Sequence, residues 1–100
     1  MSLRLYYQPS FERSLNHLGH GQRKIVGLIL EALDIYYSSG CDLLKAKKLA
    51  ASFFYKQLRK PYYETGIERN IRVLIRREDS KCIAILAGNH NQIKQFLANI

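Results

Sequence analysis

The sequence predicts one α+β domain over residues 1–100: an N-terminal strand, an antiparallel helical hairpin, a mainly antiparallel β-sheet and a short C-terminal helix. That prediction rests on three features. Apolar residues recur at helical spacing through residues 25–36, and they alternate with arginines through "NIRVLIRR" at 70–77. No repeat, low-complexity tract or linker divides the chain. One hundred residues can bury a modest core without metal or disulfide staples.

Residues 3–7, "LRLYY", alternate and suit a short strand. Pro9 follows, and Ser10 is placed to cap a helix whose apolar face is Phe11, Leu15 and Leu18. "GHG" at 19–21 breaks it. In the second helix Ile25, Leu28, Ile29, Ala32, Leu33 and Tyr36 share one face, and "SSG" at 38–40 ends it. The short link between these helices predicts an antiparallel hairpin with one apolar side. Residues 42–60 suit a helical turn or two, then a loop or a strand entering the sheet. "PYYETGI" at 61–67 reads as a strand whose leading proline is tolerated only at a strand start or edge. "NIRVLIRR" puts Ile71, Val73 and Ile75 on one face, with Arg72, Leu74 and Arg76 on the other. "EDS" turns the chain, and "KCIAILA" at 81–87 is apolar on both faces, as a central strand should be. Asn89 and Gln92 have the spacing of a capping box, so the last helix starts there. The helices are expected on one sheet face, leaving Arg72 and Arg76 on an open one.

Sixteen Lys and Arg against eight Asp and Glu give a net charge of +8. Such a surplus creates a positive field that raises encounter rates with polyanions. RNA, DNA, the ribosome, an acidic protein or a membrane surface would each answer it. Its distribution narrows the choice: residues 53–77 hold Lys56, Arg59, Lys60, Arg69, Arg72, Arg76 and Arg77 against Glu64 and Glu68. Phe53, Phe54, Tyr55, Tyr62 and Tyr63 are interleaved with them. Basic groups for phosphates beside aromatic faces for bases suit a nucleic-acid surface. Tyr62 and Tyr63 point to opposite faces, so one is expected in the core and the other free to stack on a base.

The N-terminus lacks the apolar core of a signal peptide, and no run approaches the ~18 residues of a membrane span. A soluble, cytoplasmic protein that leaves membranes alone is the expectation. Cys41 and Cys82 match no metal-ligand spacing, and the apolar alternation around Cys82 marks it as core. No metal cluster, phosphate-binding glycine loop, nucleophile elbow or cofactor fingerprint is present, so no cofactor is expected. His17 and His20 flank a helix break and read as exposed turn residues.

Four residues are candidates for chemistry. Arg72 and Arg76 share a strand face about 13 Å apart at roughly 3.3 Å per residue, spaced to grip two parts of a backbone. Guanidinium suits phosphate because its planar fork donates two parallel hydrogen bonds and stays charged. Solvated surface arginines paired with Glu64 or Glu78 are the plainer reading. His90 falls in the first turn of the last helix, where imidazolium is disfavoured and a nearby anion favoured. It is either a proton carrier or a turn histidine bonded to its own loop. Glu64, in "YYETG", either pairs with Arg72 across the ladder or takes a proton from a ribose hydroxyl. Catalysis by such a set needs a substrate with its own nucleophile. RNA qualifies, since its 2′-hydroxyl can attack the adjacent phosphate.

The chain resembles the RelE/ParE superfamily of toxins from type II toxin–antitoxin modules. The resemblance spans nearly the whole chain and lies in "PSFERSLNHL", "YYETGIERNIRVLIRRE" and "ILAGNHNQIKQFL", taken with length, element order and basic charge. It implies a small sheet with a helical hairpin on one side and a concave basic face on the other. It also implies one of two activities: ribosome-dependent mRNA cleavage through the 2′-hydroxyl, or inhibition of DNA gyrase without cleavage. A cognate antitoxin is the implied partner in both, and a degenerate member kept only to bind antitoxin or nucleic acid is a third reading. By position, Arg72 matches an arginine that contacts the scissile phosphate in the nuclease branch, with Arg76 assisting. His90 matches a histidine that carries protons in one nuclease group with a similar G-x-H setting, and Glu64 matches a strand glutamate that is more often structural. Lys56, Arg59, Lys60, Arg69 and Tyr63 would then bind messenger or ribosomal RNA. The chain departs from the family at Thr65 and Gly66, where Leu-Arg is usual, and at Ile75, where many members carry Tyr.

Overall fold

The computed structural model describes residues 3–68 and 70–100. The helical periodicity of the sequence is realised in α2 (His20–Ser38), which buries Val26, Ile29, Ala32, Leu33 and Tyr37 along one face. Before it come β1 (Arg4–Tyr7) and α1 (Pro9–Leu15); after it come α3 (Leu43–Leu49), β2 (Phe54–Gln57), β3 (Tyr62–Gly66), β4 (Arg72–Glu78), β5 (Lys81–Gly88) and α4 (His90–Ala98). The five strands form one sheet in the order β1-β5-β4-β3-β2. β2 to β5 pair antiparallel in sequence, as short turns require, and β1 joins β5 in parallel. The 42–60 stretch thus holds a capped helix and an edge strand, the strand being one of the two continuations that the sequence leaves open. Asp42 begins that helix by accepting from the Leu44 and Lys45 N–H groups.

The larger core lies between the first three helices and one sheet face, with Val26, Ile29 and Leu33 against Val73, Ile75, Cys82 and Ala84. A smaller core lies on the opposite face. There Ile93 of α4 is buried with Leu74 and Ile85, flanked by Tyr62, Phe96 and Leu97. This corrects the expectation of an open face: α4 covers the middle of the sheet surface that carries Arg72 and Arg76. The physical reason is Leu74, an apolar side chain between two arginines that α4 removes from water. Fully burying such a side chain contributes ~1.5–3 kcal/mol.

Ser10 is not the N-cap of α1. Gln8 holds that position with Pro9 in the first turn, where the missing N–H costs nothing. Ser10 instead donates to the Ile85 carbonyl at 2.7 Å, and Ser14 accepts from the Ala87 N–H at 3.0 Å. β1 stops at Tyr7, opposite Ala84, so these hydroxyls of α1 serve the β5 edge just past the point where strand pairing ends. The β4–β5 register shifts between Leu74 and Ile75, so Ile85 is the extra residue of a bulge. Among the described residues, no helix is long and apolar enough to cross a membrane.

Candidate active site

Strand register assembles the site. Phe54, Gly66, Arg72 and Gly88 form one cross-strand row, and Lys56, Glu64, Leu74 and Leu86 form the next. Because Arg72 has glycine on both sides in its row, its side chain has room to lie across the sheet rather than stand off it. Its guanidinium carbon sits 5.4 Å from the centre of the Phe54 ring. A Cβ on Gly66 would come within 3.0 Å of that ring, so the departure from Leu-Arg at Thr65–Gly66 makes space for Phe54 and Arg72. Phe54 is a member of the site that the sequence alone did not single out; its signal is a ring placed opposite a glycine.

Glu64 is fully buried. One carboxylate oxygen, Oε1, accepts from Arg72 Nη1 at 2.6 Å and has Lys56 Nζ at 3.7 Å. The other, Oε2, has no hydrogen-bond partner among the described residues and lies 3.6 Å from His90 Nδ1. A buried carboxylate oxygen without a partner is costly, and this one faces the His90 imidazole, whose Nδ1 can carry a proton. His90 Nδ1 is also 3.2 Å from Arg72 Nη1. The imidazole is half-exposed, at the first position of α4 after a complete capping box between Asn89 and Gln92.

The position of Nδ1 between a donor and an acceptor decides what the outer nitrogen can do. Arginine has no acceptor, so a neutral His90 facing Arg72 must offer Nδ1 as a lone pair and carry its proton on Nε2. Facing Glu64 Oε2, it donates from Nδ1 and leaves Nε2 as a lone pair, which is a base. A ligand anion that draws the guanidinium aside would favour the second arrangement. Arg72 Nε is buried and has no hydrogen-bond partner among the described residues, so the face of Arg72 open to an anion is its outer Nη edge.

The other candidates fall outside this group. Arg76 pairs with Glu78 at 2.5 Å, separated from Arg72 by Leu74 under α4. Tyr63 lies on the opposite sheet face, stacked on Tyr55 at 5.1 Å and covered by Arg77. Tyr62 shares the Arg72 face but packs against Phe96. Neither tyrosine is set beside the cluster, because α4 and the helical layer each claim one. Arg59 donates to the Leu97 carbonyl at 2.8 Å and ties the β2–β3 turn to the end of α4. Lys60 is exposed in that turn, and Arg69 lies outside the described residues. His17 joins His90 in lining a groove of about 470 Å³, although it reads in the sequence as a plain turn residue. Among the described residues, no group of His, Cys, Asp and Glu could hold a metal ion.

With this geometry established, the architecture can be placed among solved structures: the chain has the RelE-like toxin fold. It superposes on a chain of the RelB-RelE antitoxin-toxin complex from Methanococcus jannaschii with a TM-score of 0.64 at 18% identity, covering 91% of this chain and 96% of that one. A chain of the DinJ-YafQ toxin-antitoxin complex from E. coli gives a TM-score of 0.58 at 13% identity, over 93% and 98% of the two chains. A copper-bound mutant toxin from Helicobacter pylori gives 0.55 at 20% identity, over 91% and 98%. At these identities the likeness is one of backbone architecture. No protein-family model matches the chain, and no curated protein sequence does.

Proposed function

We propose that this protein is the toxin of a type II toxin–antitoxin pair and acts as a ribosome-dependent endoribonuclease on mRNA. The reading is carried by His90 Nδ1, held 3.2 Å from Arg72 Nη1 and 3.6 Å from Glu64 Oε2 with its ring open to solvent. The toxin-antitoxin complexes among the structural neighbours support a partner antitoxin. Its surface would be acidic, to complement a charge of +8.

In this reading the scissile phosphate approaches Arg72, which donates to a non-bridging oxygen and draws away from the imidazole. His90 then donates from Nδ1 to Glu64 and takes the 2′-hydroxyl proton at Nε2. The 2′-oxygen attacks phosphorus, and Arg72 stabilises the extra charge on the pentavalent phosphorane. The P–O5′ bond breaks, leaving a 2′,3′-cyclic phosphate and a 5′-hydroxyl. The leaving oxygen takes its proton from the imidazolium or from solvent. Glu64 positions both partners, and Lys56 adds positive charge at the rim.

Mapping mRNA 5′ ends in a translating extract tests the reading. Wild-type protein should produce cuts within codons, and His90→Ala, or Glu64→Leu with Arg72→Met so that no buried charge is stranded, should each lower the cutting rate by about 100-fold or more while remaining folded. Intact mRNA together with inhibited gyrase supercoiling would replace this reading with the gyrase-directed one.

A further inference from the structure

Beside the Arg72–Glu64–His90 cluster lies a groove of about 470 Å³, within the ~300–1,000 Å³ of small-ligand sites. His90 belongs to both, so the two are parts of one surface. The groove's lining is unusual for so basic a chain. Among the described residues it has no Lys, Arg, Asp or Glu, and five carboxamides stand in it: Gln22, Asn70, Asn89, Asn91 and Gln92. A phosphate site would call first for cations, and among the described lining residues there are none; the Gly19, Asn89 and Gln92 N–H groups are bonded to carboxamide oxygens.

Those bonds also fix what the carboxamides offer. Gln22 Oε1 accepts from the Gly19 N–H at 2.9 Å, Gln92 Oε1 from the Asn89 N–H at 2.8 Å, and Asn89 Oδ1 from the Gln92 N–H at 2.8 Å. With each carbonyl oxygen turned to its own helix end, the amide NH2 groups are left as donors. A donor-rich, uncharged groove next to a phosphate-binding arginine suits a base edge made of acceptors. Guanine shows two adjacent acceptors, N7 and O6; adenine replaces the second with an amino donor that would meet donors.

We propose that this groove reads one base of the RNA substrate, favouring guanine through its N7–O6 edge. The inference rests on the nuclease reading for its substrate class, and names Gln22, Asn89 and Gln92 as specificity residues. A nucleotide with its phosphate on Arg72 would place its own base in the groove. Single-stranded RNA allows this because its bases can be splayed from the stack and read on either edge.

The test is a titration of the isotope-labelled full chain with 3′-GMP, 3′-AMP and 3′-(7-deaza)GMP, following side-chain NH2 signals by NMR. 3′-GMP should shift the Gln22, Asn89 and Gln92 signals and bind about 5- to 150-fold tighter than 3′-AMP. The 7-deaza analogue should lose much of that margin, and Gln22→Ala should narrow it. Equal affinities for all three nucleotides, or shifts confined to Arg72 and His90, would overturn base reading. The cutting assay reports separately: cutting without base discrimination removes this inference alone, whereas guanine-selective binding without cutting removes the nuclease reading alone.

Discussion

Glu64 is a buried charge at the centre of the cluster. Its carboxylate is wholly buried, and its partner Arg72 is 19% exposed, so removing the carboxylate strands a guanidinium with little water to replace it. Glu64→Ala is expected to lower stability by about 2–4 kcal/mol, somewhat less than the ~3–5 kcal/mol of a fully buried broken pair because Arg72 keeps some solvent. Glu64→Leu combined with Arg72→Met should recover most of that loss while abolishing mRNA cutting. Urea unfolding of the single and double variants checks the first two values, and the cutting assay checks the third. Recovery of stability together with retained cutting would remove the cluster from the chemistry. The pairing of Glu64 with Arg72 is legible in the sequence because strand spacing brings Glu and Arg into reach. The approach of His90 to both is not, since nothing in "GNHNQ" states which sheet face its helix will cover.

At the scale of elements, the least expected arrangement is the way α1 completes β5. Ser14 does two things at once: it donates to the Phe11 carbonyl at 2.6 Å and accepts from the Ala87 N–H at 3.0 Å, both in buried surroundings. Ser14→Ala leaves a buried N–H without a partner, which costs about 1–3 kcal/mol. Ser10→Ala should cost less, since the bond it removes is only part-buried. Hydrogen exchange resolves the two: the Ala87 amide should lose protection in Ser14→Ala and keep it in Ser10→Ala. Unchanged protection in both would mean that another group, such as water, serves this edge. The sequence shows α2, β4 and β5 plainly, because long runs of period 3.6 or 2 leave little choice of element. It shows β2 and α3 poorly, because residues 42–60 change element after only one or two turns. It misplaces α4, although the Leu between Arg72 and Arg76 marks a covered surface.

Across the whole molecule, the helical layer buries several groups in their protonated forms. Burial pushes the Tyr37 and Tyr55 hydroxyls far above the ordinary phenol range, and Tyr37 donates to Tyr55 at 2.9 Å. Burial likewise raises Tyr36 and the Cys82 thiol. The unfolded chain releases these protons near the ordinary values of about 8.5 for thiol and about 10 for phenol, while the folded chain holds them. Their contribution is therefore complete below about pH 8.5 and declines as pH climbs toward the raised folded values. The urea midpoint should hold steady from about pH 7 to 8.5 and fall steadily above about pH 9.5, with absorbance at 295 nm rising as the fold is lost. A midpoint unchanged at about pH 11 would show that these groups titrate freely in the native state.

The seam between β1 and α1 has a further consequence, for assembly. Where β1 stops, side chains of α1 occupy the flank of β5, so that flank offers no ladder for another strand. The free margins of the sheet are then β1 and β2, each four residues long, with Arg4 on one and Lys56 on the other. Short, positively charged margins resist edge-to-edge stacking of identical chains. Two copies of so basic a chain would meet like charge on like charge at either margin, which disfavours pairing through the sheet.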